Sequence, residues 1–558
     1  MSTKLSVQTL HTDFLILGGG TAGCAAALSF CRADTAHSVL IVEKAHIKRS
    51  GCLAAGVNAL NAYIAPGRTP QDYVDYAQQD AEGIARADLL LTMAEGLNAA
   101  TARLEALGLT ILKNADGSFA TRGARNLKIN GENIKPLLAA AVEKEPRVTV
   151  KNHVNVLDYI MHENRILGAI ALDVRERVLY ILWAKAVLCA TGGAAGLYRP
   201  NHPGFSRHKM WYPPFNTGAG YAMGIRAGAE MTTLEMRFIA LRCRDTIAPT
   251  GTLAQGVGAR QVNALGENYE AKYGITTSGR VHGTVTENRA GRGPCVLKTV
   301  GITPEQDVDL QRAYLNMAPS QTLKWLESGQ TPSVRNVEIA GTEPYIVGGH
   351  TASGYWVSTD RETTIRGLFA AGDVAGGCPQ KYVTGALVEG EIAAAAALKY
   401  MDDPPPTIAL DVTEKQRTLE AYLRQQSEES TDALEAEMQG IMDEYAGGIQ
   451  TSYRFSAESL ATAAEKIHAL TLRAKNLAAT SMQELVYICE LQERLVLCRS
   501  LIAHLNARQE TRWHSFAERT DYPEKSAAWE CFVNSKLVDG KVQIILRDLV
   551  EAGVRYEH

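Results

Sequence analysis

The chain has 558 residues, of which 46% are apolar and 21% charged, with a formal net charge of −4. That length supplies core for several domains, and the near balance of charge excludes a nucleic-acid or anionic membrane surface as the main partner. No apolar run is long enough to span a bilayer, and residues 1–12 carry no signal-peptide pattern, so the expected location is the cytoplasm.

In chain order, the first informative stretch is residues 13–17, mostly apolar, followed at once by Gly18, Gly19 and Gly20 and then by a small-residue helix start. Gly18, Gly20 and Gly23 fit GxGxxG between a strand and a helix. In that context the first glycine makes the tight turn, the second admits a pyrophosphate, and the third lets helix and strand pack closely. A second strand over 38–42 ends at Glu43, twenty residues past Gly23, where a carboxylate accepts ribose hydroxyls. This unit predicts a dinucleotide at the N-terminal end, FAD or NAD rather than NADP. Its candidate contacts are Gly18, Gly20, Thr21, Ala22, Gly23, Glu43 and Lys44.

Residues 48–63 are rich in small side chains, as backbone lying flat against a cofactor requires; Ser50, Gly51 and Asn61 are candidates there. Residues 70–108 show helical periodicity, and 130–136 read as a polar turn leading into a helix at Leu137. A strand over 186–190 runs into Thr191, Gly192 and Gly193. Residues 364–373 repeat the design, ending in Gly372-Asp373, where the aspartate accepts a ribityl hydroxyl. The small-residue helix that follows, over 385–397, carries Ala386 and Leu387 toward the pyrimidine edge of a flavin. Three separated strand–glycine units sharing one cofactor favour FAD over NAD.

Residues 402–407 (Asp-Asp-Pro-Pro-Pro-Thr) mark a boundary. Beyond it, Leu460, Ala463, Ile467, Leu470 and Ala474, then Ile488, Leu491, Leu495, Cys498, Ile502 and Leu505, repeat at helical spacing and predict packed helix faces. Ser481 and Glu484 read as a capping box, and a strand pair is expected around Asp539-Gly540. The ten cysteines are scattered without a CxxC, so the chain offers no zinc knuckle, iron–sulfur or c-type haem motif of its own, and no metal site is expected.

The three strand–glycine units resemble those of the fumarate reductase/succinate dehydrogenase flavoprotein superfamily. Within it, the α subunits of dissimilatory adenylylsulfate reductases are the narrower match. The stretches that carry it are 49–63, 131–136, 211–221, 343–350, 510–513 and 529–534. The resemblance implies an α/β architecture: a discontinuous Rossmann-like FAD-binding domain (1–239 and 350–404), an inserted α+β capping domain (240–349), a C-terminal helical domain (405–515) and an extension (516–558). It also implies non-covalent FAD, because Gly51 stands where succinate dehydrogenases carry the histidine bonded to the flavin. The implied activity is two-electron chemistry at flavin N5 on a sulfo or oxyanion substrate, adenylylsulfate being converted reversibly to sulfite and AMP. The iron–sulfur cluster would sit on a ferredoxin-like β subunit. Carried over by position, Arg242 and His350 are the candidate anion clamp, Trp211 the aromatic beside the isoalloxazine, and Asn61 and Glu132 line the channel. Arg237 and Arg244 could exchange roles with Arg242.

Two departures bear on the substrate. Thr252-Leu253-Ala254-Gln255 is smaller and more polar than the apolar wall of the adenylylsulfate reductases, and residues 248–251 (Ala-Pro-Thr-Gly) lack the histidine of the dicarboxylate signature. Two other functions are carried forward. One is reduction or oxidation of an organic acid with Arg289 or Arg292 as proton donor; the other is a flavin-bearing electron-relay subunit.

Overall fold

Phe14–Leu17 (β1) is apolar and buried at every position, the pattern of a strand covered on both faces. The structure, a computed structural model, describes residues 4–55, 57, 59–130, 133–201, 210, 212–403 and 405–558. After β1 come Thr21–Ala33 (α1), Val39–Glu43 (β2), Val148–Asn152 (β3), Ala186–Cys189 (β4), Leu368–Ala370 (β5) and Tyr382–Ala397 (α2). The five strands form one parallel sheet in the order β5-β4-β1-β2-β3. Two strands about 350 residues apart in sequence, β1 and β5, thus flank β4 and end on the same edge. There Ala190 N–H reaches Leu17 O at 2.9 Å and Ala371 N–H reaches Cys189 O at 3.1 Å. The three glycine turns therefore leave the sheet side by side.

Helices α1 and α2 pack on each other through small residues; a Cβ on Gly390 would lie 2.2 Å from Ala22 O. A second sheet, in the order Ser6–His11, Val178–Trp183, Arg165–Asp173, Val154–His162, packs next to β2 and β4. The inserted segment builds an antiparallel sheet from Leu241–Cys243, Val337–Gly341, Val296–Leu297 and Gln261–Val262, with helices Thr277–Arg289, Pro304–Met317 and Pro319–Ser328. This is a Rossmann-like α/β fold with an inserted α+β cap and a C-terminal helical region.

That region holds Thr413–Tyr422, Thr431–Tyr445, Ala457–Arg473 and Met482–Ala507 (α3). Both predicted apolar stripes are buried. The cap of α3 differs from expectation. Ser481 accepts from Glu484 N–H at 3.1 Å, but the Glu484 carboxylate takes the N–H and hydroxyl of Thr480, so the box does not close on Ser481. Threonine at 480 gives both its N–H and its hydroxyl to one carboxylate oxygen, while the Ser481 hydroxyl serves as the acceptor for Glu484 N–H. Two other boundaries move: the helix expected at Leu137 begins at Ile134, and the strand read over 364–373 is confined to β5.

Phe532–Val538 and Lys541–Arg547 pair through Asp539-Gly540, both at positive φ (49° and 73°), the left-handed pair of a two-residue hairpin turn. Residues 510–513 hold this end to the body of the protein. Glu510 pairs with Arg508 at 3.0 Å and Arg512 at 2.6 Å, and Trp513 Nε1 donates to Ala81 O at 2.9 Å. No helix among the described residues is long and apolar enough to cross a membrane.

Candidate cofactor and substrate site

A cavity of about 1270 Å³ opens where the three glycine turns leave the sheet, and the cap forms its opposite wall. Its floor is backbone. Gly18 has φ +103°, and a Cβ there would sit 2.5 Å from Ala190 O, so no other residue fits between β1 and β4. Gly23 lies behind the floor, where a Cβ would meet Gly18 O at 2.0 Å. Glu43 accepts from Gly19 N–H at 2.8 Å and Ala45 N–H at 2.9 Å, which fixes its carboxylate at the cavity edge. Lys44 lines the same edge and pairs at 2.7 Å with Glu490 of α3. Lys135, buried, bonds Gly19 O from the opposite side.

The Gly372-Asp373 turn rests on a buried ion cluster. Glu389, from the first half of α2, accepts from Gly372 N–H at 2.9 Å and from Lys381 Nζ at 3.0 Å, with Arg361 Nε at 3.5 Å. Lys381 also donates to Gly372 O at 2.8 Å and Ala375 O at 2.6 Å. Both ends of the turn are therefore held by charge-assisted bonds out of contact with water. Asp373 accepts from Tyr212 OH at 2.6 Å, and burial raises its carboxyl pKa.

The returning segment 343–350 links cap and floor. Tyr345 exchanges backbone bonds with Phe238 at 2.8 and 2.9 Å, Ile346 O accepts from Ala194 at 2.7 Å, and Gly348 N–H reaches Asp373 O at 2.8 Å. A Cβ at Gly349 would fall 1.7 Å from Asp373 Oδ1, so this glycine lets His350 stand next to the aspartate. The His350 ring stacks on Phe238 (centroids 4.3 Å, 10°) and meets Tyr382 edge-on at 5.4 Å. Burial, with Arg242 adding to it, pushes the imidazole down to about 3. Arg242 comes from strand Leu241–Cys243, opposite Ala340, and burial lowers its guanidinium to about 10, still a fixed cation at neutral pH. A permanent cation thus sits beside a neutral imidazole that an incoming anion would help to charge.

Of the residues singled out by sequence, Gly18, Gly20, Thr21, Ala22, Glu43, Lys44, Ser50, Gly51, Asn61, Thr191, Gly192, Arg242, His350, Gly372, Asp373 and Ala386 line this one cavity. Gly23, Gly193 and Leu387 lie behind it: Gly193 N–H bonds Tyr212 OH at 2.8 Å and Leu387 is core. Trp211 and Glu132 lie outside the described residues. Arg237 is fully buried and spent on Phe516, Ala446 and Gly447 carbonyls, and Arg244 is exposed and paired with Glu338, so neither substitutes for Arg242. Arg289 pairs with Glu518 and Arg292 with Glu287 (2.6 Å); neither lines the cavity.

Several lining residues escaped the sequence reading: Asp80, Arg125, Asn155, Arg280 and Gln380. Asp80 and Gln380 bond each other across 300 residues, a pairing no local pattern announces. The only sequence signal was an acid at the end of an otherwise ordinary amphipathic helix.

The cavity fits FAD. Its volume exceeds the ~300–1,000 Å³ of ordinary small-molecule sites. Ser50 Oγ and Asn155 Nδ2 are buried in its wall without a hydrogen-bond partner among the described residues, which a polar cofactor would supply. Around Gly20 a Cβ would meet nothing within 4 Å, leaving the helix N-terminus of α1 open to phosphate.

The chain belongs to the FAD binding domain family, which it matches over residues 13–385, and with it to the FAD-dependent oxidoreductases of the fumarate reductase/adenylylsulfate reductase superfamily. Among individual proteins it is similar to adenylylsulfate reductase subunit alpha of Megalodesulfovibrio gigas, 28% identical over 94% of this chain and 93% of that one. The structure of adenylylsulfate reductase from Archaeoglobus fulgidus superposes with a TM-score of 0.92 at 32% identity, covering 98% of this chain and 97% of that one. A structure of adenosine-5-phosphosulfate reductase in complex with sulfite as a covalent adduct gives 0.92 at 31% over the same shares.

Proposed function

We propose that this flavoprotein converts adenylylsulfate to sulfite and AMP by reversible two-electron transfer. The observation that carries the reading is the convergence of Arg242 and His350 on the wall that faces the flavin-binding turns, in a chain that superposes on a sulfite-bound relative. FAD held by the glycine turns, Glu43 and Asp373 supplies the redox chemistry. The protein's own part is electrostatic. Arg242 provides fixed positive charge on the cavity wall, where a developing anion would meet it. His350 adds a donor whose proton is stabilised only when the anion arrives. Tyr212 orients Asp373 by donating to its Oδ2, and the phenol also bonds Gly193 N–H, which ties two of the three turns together.

The cap wall supports a small polar head group. Thr252–Gly256 forms one turn of π-helix, with Leu253 in the core and Thr252 and Gln255 on the cavity. With no cluster motif of its own, the chain would exchange electrons with a ferredoxin-like iron–sulfur subunit. The placement of Arg289 and Arg292 away from the cavity favours this reading over organic-acid chemistry. Assay of the purified protein with adenylylsulfate, fumarate and succinate, using artificial electron carriers, tests it. Turnover with adenylylsulfate alone is expected; turnover with only fumarate or succinate would overturn it.

A further inference from the structure

Gln380 stands where cap and floor meet. It is 2% exposed, lines the cavity, and lies two residues before the tyrosine that meets His350 edge-on. Its backbone holds a left-handed φ of 60°, fixed by Tyr73 OH on its carbonyl at 2.6 Å and by the Lys381 N–H bond to Gly349 O at 2.9 Å. Asp80, the last residue of helix Pro70–Asp80, accepts on both oxygens. Its Oδ1 takes Thr277 N–H from the cap helix at 3.2 Å, and its Oδ2 takes Gln380 Nε2. The amide NH₂ is thereby committed to Asp80. The other polar atom of the amide, the acceptor Oε1, is buried with no partner among the described residues.

A buried acceptor without a donor costs free energy, which a ligand that brings the donor recovers. A ligand with no donor leaves that cost in place, so the site discriminates against it. We propose that Gln380 is a specificity-determining residue whose Oε1 accepts a hydrogen bond from an uncharged hydroxyl or amino group of the ligand, next to the anion held by Arg242 and His350. Sulfate and the fumarate and succinate dianions present only acceptors and leave Oε1 unpaired. A nucleotide satisfies it, because the ribose of adenylylsulfate carries hydroxyls and its adenine an amino group. The proposal rests on the adenylylsulfate reading of the cavity and deepens it. It assigns a residue to the uncharged part of that substrate and gives a physical reason for rejecting organic acids.

The test is calorimetric titration of the FAD-loaded protein with AMP and with analogues that each lack one donor: 2′-deoxy-AMP, 3′-deoxy-AMP and purine riboside 5′-monophosphate. Flavin content is the control. One analogue should bind the wild type roughly tenfold more weakly than AMP, the worth of one hydrogen bond, and its identity names the donor. In Gln380→Leu that analogue and AMP should bind alike, whereas a merely structural defect would weaken both and keep their ratio. Asp80→Asn is the isosteric check. There Thr277 N–H claims the one remaining oxygen, so Nδ2 faces Gln380 and the amide turns over to accept from it. The same ratio should then fall to near one, and this variant decides if Gln380→Leu purifies without flavin. Equal binding of AMP and every analogue by the wild type, or a ratio that survives in the variants, would overturn the assignment of Gln380 and leave the adenylylsulfate reading standing. No AMP binding by the wild type would overturn both.

Discussion

The floor and the wall of the cavity are built on different principles. The floor is backbone held from behind: glycines with no room for a Cβ, and a buried Glu389–Lys381–Arg361 cluster locking the Gly372-Asp373 turn. The wall is side chains reaching in from distant segments, Arg242 from a cap strand, His350 from the returning segment and Gln380 from the turn into α2. The difference teaches that the cofactor and the substrate are secured by separable parts. Damage to the floor should cost fold and flavin together, whereas damage to the wall should cost chemistry and leave the flavin bound.

The largest effect is expected at the floor. Glu389→Ala leaves two buried cations facing each other, and removing one partner of a buried ion cluster costs about 3–5 kcal/mol. Denaturant unfolding should show that loss, and the purified variant should carry little flavin; full stability with full flavin would break the comparison. At the wall, Arg242→Ala should retain stoichiometric FAD while turnover falls about 10²–10³-fold, the usual worth of one preorganised oxyanion donor. Loss of flavin in that variant would mean that wall and floor are not separable.

A subtler effect is expected from His350. In the anion-free protein its imidazole sits at about 3 against an ordinary 6.5, so the unfolded chain takes up this proton first as pH falls. The stability difference is absent above the ordinary value and accrues as pH falls from 6.5 toward 3, always disfavouring the fold. His350→Gln should flatten the stability–pH curve across that window, measured by unfolding at several pH values. The smallest effect belongs to Arg292→Ala, which breaks a pair with Glu287 away from the cavity and should leave both flavin content and turnover unchanged.

The two parts were also unequally legible in the sequence. A glycine turn leaves a local trace, strand then glycines then small-residue helix, because one short segment has to meet every steric demand; hence Gly18 to Gly23, Thr191-Gly192 and Gly372-Asp373 could be picked out from spacing. Arg242 and His350 were reached only through family resemblance, since one arginine and one histidine have no local pattern. The Asp80–Gln380 pair, Asn155 and Arg280 were missed because tertiary folding alone brings them together. The same holds behind the floor, where nothing near Glu389 in sequence predicts its bond to Gly372 N–H. At α3 the error was local: the reading assigned Glu484 to Ser481 when Thr480, one residue earlier, offered it two donors.

The central claim, an anion clamp of Arg242 and His350 above a flavin held by three glycine turns, is tested most directly by anaerobic titration with sulfite, wild type and Arg242→Ala in parallel. The account predicts that both proteins purify yellow, that sulfite bleaches the flavin band of the wild type, and that the variant resists bleaching at the same concentrations. A wild type that takes up no FAD, or two proteins that bleach alike, would contradict it.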